Sequence, residues 1–140
     1  MSISNSNTST LDQLYKQGVN TFNKSLSISA QEFVANVDAL APEFGRLIVE
    51  MEFGAMYNRP GLNVNTRELV IIASCAALGA TGLGALKMHI PAALRHGVTK
   101  AEIVESLVQV SMAAGLPAAL GALQAANEVF AELDAKAAGN

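Results

Sequence analysis

From Leu69 to Leu86 the chain carries no charged side chain, and a second uncharged stretch runs from Ser106 to Asn127. Stretches of this length must be covered either by lipid or by protein. Gly79, Gly82 and Gly84 interrupt the first, and Gln109, Gly115-Leu116-Pro117, Gln124 and Asn127 punctuate the second. Neither reads as a bilayer span, and no membrane partner is expected. Each stretch should instead break into shorter helices that cover one another. With 140 residues the chain is long enough for one core but not for two, so a single domain over 11–137 is expected. It is 51% hydrophobic and only 15% charged, with a mean hydropathy of +0.31, which is apolar for a soluble monomer. The surplus apolar surface points to a subunit interface, hence to self-association.

The net charge of −3 and pI near 5.3 leave no basic patch for phosphates, so nucleic acid is not an expected partner. Cys75 is the single cysteine and cannot form an intramolecular disulfide, which fits a reducing, cytoplasmic location. Ser2–Thr10 is a Ser/Asn/Thr run without a basic or apolar leader pattern, so residues 1–10 read as a disordered polar arm and not a signal peptide.

The remaining punctuation is that of a string of helices. Leu11, Leu14, Tyr15, Val19 and Phe22 have helical spacing, weakened by Gly18. Ser29-Ala30-Gln31-Glu32 is a capping-box pattern for a helix to about Leu40, and Pro42 suits the first turn of a helix through Tyr57. Pro60-Gly61 fits the centre of a type II turn, after which Asn65 and Glu68 can cap a helix that is apolar nearly all round at Leu69–Ala73. That helix is expected at the buried centre of the domain. The next contains His89 and stops at Gly97; Thr99-Lys100-Ala101-Glu102 starts another that ends at Gly115. Pro117 opens a last helix to about Ala137. No alternating strand pattern competes, so the fold class is all-α, a multi-helix bundle. Alanines and glycines crowd the second half, including Ala76, Gly79, Ala114, Ala118, Gly121 and Ala125, and side chains this small let helix axes approach closely.

The ordered set Arg59-Pro60-Gly61-Leu62, Thr66-Arg67-Glu68-Leu69, His89-Ile90-Pro91-Ala92-Ala93-Leu94, Gly97-Val98-Thr99-Lys100-Ala101-Glu102-Ile103 and Ala114-Gly115-Leu116-Pro117 resembles the carboxymuconolactone decarboxylase family, over about Phe53 to Leu133. The resemblance implies an alkylhydroperoxidase D-like helical bundle assembled as a trimer or hexamer. It also implies a cofactor-independent, metal-free decarboxylase or related proton-transfer enzyme, a carboxy-lyase, acting on a small carboxylated lactone or enol such as 4-carboxymuconolactone. Other readings of the same scaffold are a peroxidase-like redox protein without its dithiol and a non-catalytic oligomeric protein that binds a small ligand.

His89 leads the candidates for chemistry. It shares a helix face with Leu86, Ala85, Ala93 and His96, and Pro91 removes the amide that would pair with the Lys87 carbonyl beside it. An imidazole in such a setting can carry a proton near neutral pH, and a histidine recurs at this place in the family. Glu68 is the second candidate, as acid, base or relay, against the alternative that it completes the Asn65 cap. Its interval to His89 is two residues longer than in alkylhydroperoxidase D proteins, which extra residues near Gly82–Gly84 would reconcile. Decarboxylation without a cofactor also needs a cation for the carboxylate that stays; Arg59 and Arg67 can hold one in bidentate fashion, with Arg46 a weaker third.

The sequence departs from the family pattern at two functional places. Gly82 and Ala85 stand where alkylhydroperoxidase D proteins carry the two sulfurs of a Cys-x-x-Cys motif, so dithiol peroxidase chemistry is not expected. Cys75 lies in an apolar run and reads as inert core. Ala85 and Ala113 also replace a glutamate and a tyrosine common in the decarboxylase branch, which bears on the substrate.

Overall fold

The computed structural model describes residues 4–140, and every regular element among them is helical. By its internal contacts the chain divides into two compact units, the first ending at Gly61 and the second beginning at Leu62.

The first unit contains α1 (Ser4–Ser25), α2 (Ala30–Asp38) and α3 (Phe44–Ile48), which continues into a π-helical segment, Val49–Met56. Helix α1 begins at Ser4, so most of the stretch expected to be a disordered polar arm is helical; residues 1–3 lie outside the described residues. Gly18, read from sequence as a weak point, is where α1 crosses the π-helical segment. A Cβ there would strike the Val49 carbonyl oxygen, and one on Gly54 would strike the Leu14 carbonyl oxygen. The two glycines therefore let backbone lie against backbone. Phe22 fills the space beside this crossing, with its ring centroid 5.0 Å from Phe33 and 4.7 Å from Phe53.

Ser29 caps α2 by accepting the Glu32 N–H at 3.0 Å. The helix expected from Pro42 to Tyr57 starts later and is wound differently. Pro42 sits in a turn, Glu43 takes a left-handed φ of 66°, and the Asp38 carboxylate accepts the Gly45 N–H at 2.7 Å. The wide turn closes where the Asn58 amide donates to the Phe53 and Gly54 carbonyls at 2.8 and 3.1 Å. Nothing in apolar spacing distinguishes such a segment from an α-helix, since it needs only one extra residue per turn. Pro60-Gly61 does form a turn, but Gly61 keeps a negative φ, which excludes type II.

The second unit contains α4 (Val64–Ala77), a 3-10 turn at Gly79–Gly82, α5 (Leu83–Arg95), α6 (Lys100–Ala114) and α7 (Leu116–Ala138). Helix α4 packs against α5, α6 and α7, around a core that includes Ile72, Leu86, Ile90, Ile103, Leu107 and Phe130. It is buried along one stripe only, since Val70 is 50% exposed. The ends of α5 and α6 follow the sequence pattern closely. Gly97, at φ 94°, donates to the Leu94 carbonyl and Val98 to the Ala93 carbonyl, the paired bonds of a Schellman stop. Thr99 and Glu102 form a reciprocal capping box, and Gly115, at φ 90°, ends α6 ahead of Pro117. Among the described residues, no helix is long and apolar enough to cross a membrane.

Candidate active site

The second unit brings Glu68 and His89 together. The cap of α4 is Asn63, whose side-chain oxygen accepts the Thr66 N–H at 2.8 Å, and not Asn65 as the sequence pattern suggested. Both asparagines suit an N-cap by residue type, but the extended backbone needed by a cap falls at Asn63. Moving the helix start by two residues takes Glu68 out of reach of the cap. It lies instead on the inner stripe of α4 with Ile72 and Ala76, at i, i+4 and i+8, and is fully buried.

An ionisable carboxylate inside an apolar core requires a partner. The partner is His89, one and a half turns along α5 from its start, whose side chain is 12% exposed. Its Nδ1 stands 2.9 Å from Glu68 Oε2. When the carboxylate is ionised it can only accept, and Nδ1–H is then the donor of this bond. The bond holds the plane of the ring against α4. Its neighbours on α5, Leu86, Ile90 and Ala93, are buried without exposed surface and fix the helix face from which the ring projects.

Arg67, next to Glu68, turns the other way: its Nη2 donates to the Leu62 carbonyl at 2.9 Å, closing the approach to α4. Arg59 belongs to the first unit, where its backbone N–H donates to the Met56 carbonyl at 3.2 Å. Arg46 is committed within the same unit. Its Nη2 bonds Asp12 at 2.6 Å, its Nε bonds the buried Glu50 at 2.7 Å, and its guanidinium lies 4.6 Å from the centre of the Tyr15 ring. These carboxylates hold the guanidinium in its charged form, pushing its pKa above the usual value, first through the Glu50 bond and then through Asp12.

At the dithiol positions, Ala85 is exposed and Gly82 is buried. A Cβ on Gly82 would collide with the Cys75 carbonyl oxygen at the end of α4. Sequence inspection registers Gly82 only as a missing sulfur; its packing role has no signature in a single sequence. Among the described residues, no three His, Cys, Asp or Glu side chains converge on a common metal position, and no buried polar side-chain atom lacks a partner.

The model of the carboxymuconolactone decarboxylase family matches residues 42–128, a span that contains both Glu68 and His89. The chain belongs to this family. Among its relatives is a 4-carboxymuconolactone decarboxylase of Acinetobacter baylyi, 37% identical over 123 residues, covering 87% of this chain and 90% of the relative. An uncharacterised 15.0 kDa protein of Paracoccus denitrificans is 41% identical over 98 residues, 70% of this chain and 73% of its own. A nitrosuccinic acid decarboxylase of Metarhizium robertsii is 29% identical over 100 residues, 69% and 68% of the two chains. The two relatives with decarboxylase names are named for different acids.

Proposed function

We propose that the protein is a cofactor-independent carboxy-lyase that removes carbon dioxide from a small carboxylated lactone or enol, with His89 as the proton donor. The observation that carries this reading is the 2.9 Å contact between the fully buried Glu68 and the mostly buried His89. Its support from the comparisons is the family model that this chain matches and the decarboxylase names of two relatives.

In the reaction the bond between the substrate carbon and its carboxylate breaks, carbon dioxide leaves, and the electron pair passes into the adjacent carbonyl as an enolate. His89, entering the step as the doubly protonated imidazolium, delivers its Nε2 proton to the carbon, becomes the neutral Nδ1–H ring and takes a proton back from solvent. Glu68 keeps Nδ1–H engaged throughout, so the imidazole presents one nitrogen in one orientation. Apolar surroundings favour the step in which a charged carboxylate becomes neutral carbon dioxide. Arg59 and Arg67 stay sequence-based candidates for holding the carboxylate or lactone oxygen that stays, each through a guanidinium fork matched to such oxygens.

The protein is further proposed to work as a homo-oligomer, a trimer or a multiple of one, in the cytoplasm. Large apolar side chains stand in the open on α6 and α7, among them Met112 at 85% exposure, Leu116 and Leu120. The function is tested by screening carboxylated lactones and 3-oxoacids for carbon dioxide release. His89→Asn, with a ring-free amide of similar polarity, should fold normally and lose about a hundredfold or more in turnover, the usual worth of a positioned general acid. A folded His89→Asn protein with full turnover would refute the assignment.

A further inference from the structure

We propose that Gly82 is a positioning residue for the Glu68–His89 pair, because the contact of its Cα with the Cys75 backbone sets the spacing of α4 and α5. The inference rests on the proposed role of that pair, but its central measurement does not depend on turnover. Helices α4 and α5 are antiparallel neighbours joined by the short segment 78–82, with Gly79 in a left-handed φ of 69°. Cys75 lies two turns after Glu68 on α4, and Gly82 lies two turns before His89. The two pairs therefore stand at matching levels of one hairpin, about 10 Å apart along it at 1.5 Å per residue.

At the lower level nothing separates the two backbones. A Cβ on Gly82 would meet the Cys75 carbonyl oxygen, with the carbonyl carbon at 2.7 Å and the Cα at 3.1 Å. Carbon atoms pack at about 3.5–4.0 Å, so any side chain there must part the helices by roughly 1 Å. The obstructing atoms are backbone, and no rotamer change can relieve them. At the upper level the Glu68–His89 bond is 2.9 Å long, and an added separation of that size takes it past the length at which a hydrogen bond survives. By contrast, Gly84, one residue into α5 on the outer side, has open space where its Cβ would go.

The experiment compares Gly82→Ala with Gly84→Ala. Imidazole nitrogens are followed by NMR in substrate-free protein, and folding by far-ultraviolet circular dichroism and thermal unfolding. Gly82→Ala should remain helical, lose the slowly exchanging Nδ1 proton of His89 and lower kcat by about a hundredfold, the scale expected from a 1 Å misplacement. Gly84→Ala should leave both unchanged. In the wild-type protein, cross-relaxation should connect the Gly82 α-protons with the Ala76 amide proton. A folded Gly82→Ala protein that keeps its Nδ1 proton overturns the proposal, as does absence of the wild-type cross-relaxation. A Gly82→Ala chain that cannot fold overturns it too, since the contact would then serve the fold as a whole. Retention of turnover after His89→Asn would instead refute the catalytic reading and leave the NMR comparison valid.

Discussion

Glu68→Gln isolates the charge of the buried carboxylate from its volume. The replacement keeps the shape of the side chain and the packing of α4 against its neighbours, so no cavity opens around Ile72 and Ala76. The amide can still accept the Nδ1–H of His89 through its oxygen, and the cost in stability should stay near 1 kcal/mol, the net worth of one hydrogen bond. Glutamate accepts at both oxygens, however, whereas glutamine presents a donor on one side. The amide can therefore satisfy the ring in either tautomer, by accepting from Nδ1–H or by donating to a bare Nδ1. In the second arrangement the proton on Nε2 belongs to a neutral ring that no carboxylate balances once charge moves. Loss of tautomer control in a carboxylate–histidine pair lowers turnover by up to about 10⁴-fold, as in the serine-protease triad. A loss of 10²- to 10⁴-fold corresponds to roughly 3–5 kcal/mol of transition-state stabilisation at 1.36 kcal/mol per decade. The assay is carbon dioxide release on the substrate found by screening, with thermal unfolding and the imidazole NMR signature recorded on the same samples. A Glu68→Gln protein of near wild-type stability and near wild-type kcat would show that the carboxylate only fills and satisfies the core.

Three further outcomes follow from the same structure. Asn63→Ala should cost about 1 kcal/mol in thermal or denaturant unfolding, the usual value of an N-cap, whereas Asn65→Ala should cost much less. The Glu102 carboxyl is held below its ordinary 4.5 chiefly by the Thr99 backbone N–H and then by the Thr99 hydroxyl. Its contribution to stability is therefore complete above that value and fades as acid takes the pH down through the lowered one; Glu102→Gln should flatten this acid limb of the stability profile. Light scattering at micromolar concentration should give a trimer or a multiple of it, and a stable monomer would contradict the proposed assembly.

Local chemistry made much of the helical order legible. Ser29, Thr99 with Glu102, Gly97 and Gly115 act through hydrogen bonds or backbone angles within a few residues, so each start or stop could be read from its own neighbourhood. Where two residues of suitable type compete, as Asn63 and Asn65 do, the pattern does not choose; the turn that precedes α4 does. The π-helical winding of Val49–Met56 was equally invisible, because it arises where α1 lies against that segment through Gly18 and Gly54. His89 and Glu68 stood out by residue type and by family resemblance, yet the sequence left Glu68 between a cap and a relay. Only the α4–α5 hairpin excluded the cap, by carrying the carboxylate inward to the imidazole 21 residues away. Caps are set by bonds that span one turn of chain, and they are therefore written locally. A 2.9 Å contact between two helices depends on how closely their backbones approach, and that distance is set by packing along the whole hairpin.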